Sequence, residues 1–309
     1  METANMANYE CDLHCHTNRS DGKDSPKELI DKAALLQLKV LAITDHDITP
    51  PDTIVVEGNL ISTMDYAQEK GILLMRGIEV SCDTEIEDVH ILGFGCNFKD
   101  QRWFDLERAV IKSKIESYRN LVELLNTHGY PLSWDSILNQ GKAKINETLI
   151  QKKMIFEKMA DLGYVSSWKE AKNLVQMNPI FQINRLKPEP KVIIDLIHQT
   201  NGIAILAHPY LINPTLISTQ TYVDDLVEAG LDGLEVSYAY SKTNYRGLLS
   251  EDEIESLLRM KYQNRNLILS GGSDYHGLDL KSLDNQRELG SKGISYNEFI
   301  ANGLNKVLV

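Results

Sequence analysis

Short apolar runs with strand character alternate with amphipathic helical segments along most of this chain. The seven runs are YECDLHCH, VLAITDHD, GILLMRGIEVSC, DVHILGFG, GIAILAHPY, LDGLEVSY and LILSGGSDYH. Such alternation is typical of a parallel sheet covered by helices. Seven units predict an α/β fold in which parallel strands form a closed or nearly closed barrel of the TIM type.

The helical segments between these runs have recognisable ends. In SPKELIDKAALLQL, Ser25 is the predicted N-cap, Pro26 occupies the first helical position, and Glu28 completes a capping box. Residues 59–71, 187–202 and 221–230 carry similar apolar stripes. Their final glycines, Gly71, Gly202 and Gly230, predict where these helices stop.

The alternation is interrupted from about residue 99 to about residue 187, where the sequence has helical character throughout. We therefore predict a barrel domain made of residues 9–98 and 188–309. Residues 99–187 are predicted to form an α-helical subdomain, inserted between the fourth and fifth strands, that covers the active site.

Composition restricts the compartment and the partners. The net charge of −12 disfavours binding to long nucleic acids. The chain lacks an apolar run long enough for a membrane span, and its polar start does not resemble a secretion signal. Four scattered cysteines then favour reduced thiols and a cytoplasmic location.

Six of the eight histidines lie on the predicted strands or at their ends. They are His14, His16, His46, His90, His208 and His276. Because the carboxyl ends of parallel barrel strands share one rim, we expect these side chains to converge there. His90 is the exception, since it stands at the start of its strand. His128 and His198 are interpreted as residues near helix ends.

Three carboxylates occur at similar places: Asp21, Glu79 and Asp274. One strand-end histidine is most often only a polar residue, so the argument depends on the whole set. Imidazole with carboxylate is a ligand set for zinc, iron or manganese, and nine such residues suffice for two or three divalent ions. The residual positive charge would attract phosphate and lower the pKa of bound water.

At these motifs the sequence resembles the PHP (polymerase and histidinol phosphatase) family. The motifs are the HxH pair with a following aspartate, TDH, a glutamate, a histidine, AHP and DxH. The resemblance implies a distorted (β/α)7 barrel, usually with three metals. The helical insertion is similar to that of stand-alone phosphoesterases of nucleotide phosphates.

The resemblance also implies roles for individual residues. A first metal would be held by His14, His16, Glu79 and Asp274, a second by Glu79, His90 and His208, and a third by Asp21, His46 and His276. A bridging hydroxide would attack phosphorus, with Asp274, His276 and Glu79 in the catalytic set. Arg119 is a candidate phosphate clamp or a solvated helix charge. Asp45 and Asp47 orient ligands or cap a turn.

The predicted function is hydrolysis of a small phosphomonoester or a nucleotide phosphate, such as a nucleoside 3′,5′-bisphosphate. Four alternatives stay open. They are a 5′–3′ exonuclease acting on short oligonucleotides, a histidinol-phosphatase-like enzyme, a metal-dependent amidohydrolase and a non-catalytic metal-binding module.

Overall fold

The computed structural model describes residues 7–139, 144–213, 216–277 and 286–308. The chain divides into two compact units. One is Met1–Phe104 together with Pro188–Val309, and the other is Asp105–Lys187.

The first unit contains a seven-stranded sheet and a two-stranded hairpin. The strands, in chain order, are β1 (Cys11–Asp12), β2 (Val40–Ile43), β3 (Thr53–Val56), β4 (Asn59–Ser62), β5 (Leu73–Ser81), β6 (His90–Phe94), β7 (Ile203–Leu206), β8 (Gly233–Ser237) and β9 (Ile268–Gly271). The large sheet has the order β1-β2-β5-β6-β7-β8-β9, and β3 pairs with β4. The predicted (β/α)7 TIM-like barrel is thereby confirmed, and the sheet is nearly closed.

The fourth strand of the large sheet runs against its neighbours. Strand β6 pairs antiparallel with both β5 and β7, whereas the other neighbouring strands pair in parallel. The prediction of seven parallel strands is therefore wrong at β6. Only residues 82–89 connect β5 to β6, and a parallel crossover needs a dozen or more residues. Reversal places His90, the first residue of β6, at the rim where the parallel strands end.

Residues that follow the first strand form hydrogen bonds with the end of the last strand and with the loop that follows it. Leu13 N–H donates to Gly271 C=O at 3.2 Å, and His16 N–H donates to Tyr275 C=O at 2.8 Å. The Asp12 carboxylate, which is fully buried, reinforces this junction. It accepts hydrogen bonds from Ser273 N–H at 2.9 Å, Ser273 Oγ at 2.5 Å and Gly290 N–H at 2.8 Å.

The helices follow the predicted pattern, with two corrections. They are α1 (Pro26–Leu35), α2 (Thr63–Glu69), α3 (Gln101–Thr127), α4 (Trp134–Leu138), α5 (Lys152–Asp161), α6 (Trp168–Met177), α7 (Pro190–Gln199), α8 (Thr219–Glu228), α9 (Glu251–Tyr262) and α10 (Tyr296–Ala301). The Ser25 capping box is present. Residues 59–62 form β4 instead of helix. After α7 the left-handed residue is Asn201 and not Gly202, whereas Gly71 and Gly230 are left-handed as expected.

The second unit has its own apolar core. Side chains from α3, α4, α5 and α6 contribute to it, including Leu125, Ile137, Ile155, Met159 and Val175, all of which are buried. Across the described ranges of both units, no helix combines the length and apolarity needed to cross a membrane.

We predict that Asp12→Ala destabilises the barrel unit by about 3 kcal/mol or more, because each buried donor left without an acceptor costs roughly 1–3 kcal/mol. Urea unfolding followed by circular dichroism measures this change. Asp65→Ala is the control, since Asp65 is an exposed residue in the first turn of α2. An Asp12→Ala variant as stable as the Asp65→Ala variant would contradict the closing role of Asp12.

Candidate metal centre

The Glu79 carboxylate lies at the centre of a cluster of imidazoles. Its side chain is only 1% exposed. Five imidazole nitrogens lie within 3.2 Å of its two oxygens. These contacts are His14 Nε2 at 3.2 Å, His16 Nε2 at 3.2 Å, His46 Nδ1 at 3.0 Å, His90 Nδ1 at 2.8 Å and His208 Nε2 at 3.1 Å.

The structure brings all nine sequence-predicted ligands to this place. Three groups within the described residues have potential ligand atoms within 4.8 Å of one another: His14, His16, Glu79 and Asp274; His16, Asp21, His46 and His276; and His46, Glu79 and His90. His208 adjoins the third group, since its Nε2 lies 3.2 Å from His90 Nδ1. Glu79 belongs to two of the groups, which suits a carboxylate shared between ions.

Strand ends explain why these side chains meet. His14 and His16 follow β1, His46 follows β2 and His208 follows β7. The pair Asp274 and His276 follows β9. His90 joins them because β6 runs in the opposite direction.

Backbone conformations at the site are unusual. His208 has φ +29° and Asp274 has φ +51°, values that non-glycine residues seldom adopt. Gly272 allows a close approach, because a Cβ at that position would lie 2.3 Å from His14 Cβ. Strained conformations of this kind are found where the surrounding structure holds a functional side chain in place.

One side of the cluster is buried, and the other is partly exposed to solvent. The side chains of His14 and His16 are completely buried, and that of Asp274 is 8% exposed. Exposure reaches 23% at His276 and 40% at Asp21. A ligand from solvent would therefore reach the cluster at the side where Asp21 and His276 lie.

The buried polar atoms suit cations. His14 Nε2, both ring nitrogens of His16, His46 Nδ1 and Glu79 Oε2 are shielded from solvent, and none of these atoms makes a well-aligned hydrogen bond to another described residue, although three of the nitrogens lie 3.0–3.2 Å from Glu79 Oε2. Burying polar atoms without partners is costly. Imidazole nitrogens directed at shared carboxylate oxygens are the donor set that divalent transition metals use, so the residues present fit such ions.

Protonation of these imidazoles depends on the carboxylates. Burial alone would lower the pKa of His16, but Asp274 and Glu79 outweigh burial and raise it to about 10. Burial likewise opposes protonation of His14, yet Glu79 and Glu235 bring its pKa well above the usual value. Without a bound cation, the neighbouring carboxylates therefore favour the protonated form of both imidazoles.

Sequence reasoning missed an outer layer of polar residues. Glu235, fully buried on β8, lies 3.1 Å from His14 Nδ1 and accepts a hydrogen bond from His208 N–H at 2.8 Å. Its signal was present, because GLEVS repeats the GIEVS pattern around Glu79. Tyr238 and Arg287 contact Asp274, and nothing in their local sequence distinguishes them.

The aspartates beside His46 bond to the chain near the site. Asp45 accepts hydrogen bonds from Thr17 N–H at 2.8 Å and Ser20 Oγ at 2.6 Å, in the loop between His16 and Asp21. Asp47 accepts a bond from Ser81 N–H at 2.9 Å, just beyond Glu79 on β5. Each therefore holds a segment that carries a predicted ligand.

Three other polar residues belong elsewhere. Arg119 lies on α3 in the second unit, where it pairs with Glu147 at 2.6 Å and packs over the Trp134 ring. His128 is exposed after α3, and His198, on α7, pairs with Asp232 at 2.8 Å. Within the described residues, neither histidine joins a metal-ligand group.

The chain is similar in sequence to a known protein family and to individual enzymes. The PHP domain family model matches residues 12–180, more than half of the chain, which confirms the family resemblance. A 3′,5′-nucleoside bisphosphate phosphatase from Chromobacterium violaceum is 27% identical over 88% of this chain and 88% of its own length. A 5′-3′ exoribonuclease from Haemophilus influenzae is 28% identical over 86% of this chain and 89% of its own length.

Solved structures share the fold. A protein from Bifidobacterium adolescentis, described as a metal-dependent phosphoesterase, superposes with a TM-score of 0.70 at 23% identity and covers 97% of this chain and 96% of its own. An amidohydrolase from Chromobacterium violaceum gives a TM-score of 0.72 at 23% identity, with 96% of both chains covered.

We predict that Mn²⁺ binding to the metal-free protein releases protons, because a metal ligand must be a neutral imidazole and carboxylates favour the protonated form of His14 and His16. Affinity should therefore rise as the pH is raised from about 6 to about 8. Calorimetric titration in buffers of different ionisation enthalpy counts the protons. His128→Ala should release the same number, and binding heats that do not depend on the buffer would contradict this prediction.

Proposed function

This chain belongs to the PHP domain family, and we propose that it is a metal-dependent phosphoesterase whose substrate is a small nucleotide phosphate such as a nucleoside 3′,5′-bisphosphate. The observation that carries the proposal is the convergence of six imidazoles with the carboxylates of Asp21, Glu79 and Asp274. The phosphatase and the exoribonuclease to which it is similar act on phosphate esters, which supports the reaction class.

Two or three divalent ions, Mn, Fe or Zn, would be held by the nine residues. His14, His16, Glu79 and Asp274 would hold one ion, and Glu79, His90 and His208 a second. Asp21, His46 and His276 would hold a third. Such ions supply Lewis acidity toward a phosphoryl group and lower the pKa of bound water.

Asp21, His276 and Glu79 differ in exposure, and each position suits a different part of that chemistry. Asp21 and His276, on the more exposed side, are placed to be the first groups that an entering phosphate meets. Glu79, shielded from water, keeps its charge, because the pKa that burial would raise is held well below its usual range by His46 and His14. A buried anion that stays ionised is a suitable bridge between cations.

The net charge of the chain and one of its relatives both favour a small substrate. A net charge of −12 disfavours a long nucleic-acid strand, since many phosphates would meet a surface of like sign. The similarity to the bisphosphate phosphatase extends over most of both chains and favours a small nucleotide.

The four cysteines are buried free thiols, which supports a reducing compartment such as the cytoplasm.

A second candidate is 5′–3′ hydrolysis of short oligoribonucleotides. It is favoured by the exoribonuclease from Haemophilus influenzae, which matches 86% of this chain, against 88% for the phosphatase. Both reactions would use the same cluster, but the first hydrolyses a phosphomonoester and the second a phosphodiester.

We predict that His276→Ala lowers phosphate release by at least about 100-fold, because one ligand of the proposed third ion is lost. The assay is colorimetric phosphate release with Mn²⁺ present, on nucleoside 3′,5′-bisphosphates, histidinol phosphate and an aryl phosphate, and shortening of oligoribonucleotides is followed by gel electrophoresis. His128→Ala is the matched control, because that histidine is exposed in the second unit. Full activity of His276→Ala would refute the site.

The substrate panel separates the two candidates. Preferential turnover of the bisphosphates supports the first, whereas preferential shortening of oligoribonucleotides supports the second. Wild-type protein that binds Mn²⁺ but hydrolyses no phosphate ester would overturn both, and amide substrates would then be tested.

Arg119 stays a predicted phosphate contact. We expect Arg119→Gln to raise KM about tenfold with kcat nearly unchanged, as loss of one charged hydrogen bond would give. Lys112→Gln, which removes a charge from the same helix, is the control. An unchanged KM would assign Arg119 to the packing of the second unit through Glu147 and Trp134.

A further inference from the structure

The two oxygens of Asp274 have different surroundings. Oδ1 faces the imidazoles, at 3.0 Å from His16 Nε2, 3.5 Å from His14 Nε2 and 3.4 Å from His276 Nδ1. Oδ2 points away from the cluster. It accepts a hydrogen bond from the Tyr238 hydroxyl at 2.7 Å and a second from Arg287 Nη1.

Tyr238 and Arg287 also bond to each other. Arg287 Nη1 donates to the Tyr238 hydroxyl oxygen at 3.0 Å. Because an arginine can only donate, the hydroxyl oxygen is the acceptor of this bond, and its own proton is directed at Asp274. The three side chains form a ring of hydrogen bonds in which Oδ2 receives two donors, and Arg287 Nη2 also lies 3.0 Å from His276 Nδ1.

The set is shielded from solvent. Tyr238 is 2% exposed, and the Arg287 side chain is 18% exposed. An ion pair in such surroundings is held far more firmly than a surface pair, and removing its donors costs more.

We propose that Arg287 and Tyr238 are positioning residues that fix Asp274 with a single oxygen, Oδ1, toward the metal centre. This inference rests on the proposed function, since it assumes that Asp274 is a metal ligand. Without the two donors, the carboxylate could rotate about its side-chain bonds, and the oxygen offered to the cluster would no longer be defined.

An ordinary structural ion pair would not need this arrangement. Arg287 stands 13 positions from Asp274, and Tyr238 comes from a different strand end, 36 positions away. Both nonetheless converge on the same oxygen. Partners of metal ligands generally set ligand orientation, and their loss typically weakens metal binding by about 10- to 100-fold.

Two substitutions test the proposal without changing net charge. Tyr238→Phe removes the hydroxyl donor, and Arg287→Lys replaces the planar fork by a single amine. We expect each to weaken Mn²⁺ binding to the metal-stripped, full-length protein about tenfold in calorimetric titration. Circular dichroism and melting curves, close to those of wild type, would show that the fold is intact.

Matched controls are available in the same unit. Tyr240→Phe removes a hydroxyl from the neighbouring tyrosine, which accepts a bond from Tyr210 N–H instead. Arg102→Lys changes an exposed arginine that pairs with Asp100. Neither should alter Mn²⁺ affinity.

The outcomes separate this proposal from its alternatives. Wild-type Mn²⁺ affinity in both Tyr238→Phe and Arg287→Lys would overturn the positioning role. If Arg287→Lys instead weakened only the binding of inorganic phosphate, with Mn²⁺ affinity unchanged, Arg287 would be a substrate contact and the proposal would fail. Wild-type protein that binds Mn²⁺ without hydrolysing any phosphate ester would overturn the proposed function alone, because the titration does not depend on turnover.

Discussion

The buried carboxylate of Glu79 is the interaction on which the rest of the site depends. Five imidazoles surround it in a place that water barely reaches. A buried charge is tolerated only when it is paired, and imidazoles that face one another need a common partner of opposite charge. In the protein without metal, Glu79 is that common partner. Divalent ions bound among the same residues would compensate the negative charge of Glu79 more completely.

The reversed strand β6 completes this arrangement. In a wholly parallel sheet, a histidine at the start of the fourth strand would lie at the far end of the barrel. Because β6 pairs antiparallel with β5, Ser81 lies opposite His90 and Glu79 lies opposite Leu92. The imidazole of His90 then reaches Glu79 at 2.8 Å. The short connection between β5 and β6 thus decides whether His90 can join Glu79 and His208.

An outer layer of polar residues holds the inner one. Glu235 contacts His14, and Asp12 ties β1 to the loop that carries Asp274. Asp274 in turn is held by Tyr238 and Arg287. Each of these residues uses its polar atoms on the protein, which leaves the inner ligands free to face the centre. A site with several adjacent cations requires ligands in fixed positions, since a small displacement of one ligand changes how well the charges of the cations are compensated.

The sequence by itself determined the barrel class, the capping box of α1 and the candidate set of nine metal ligands, although the parallel fourth strand that it predicted would place His90 at the far end of the barrel. It could do so because strand alternation, cap chemistry and histidines at strand ends are local patterns. Only the tertiary structure decided the direction of β6, the hairpin of β3 and β4, and the partners Tyr238 and Arg287. Strand direction depends on what a connection can span, and Arg287 acquires its role only through contacts with residues distant in sequence. Such contacts leave no local pattern, whereas Glu235, in a repeat of the Glu79 motif, could have been recognised.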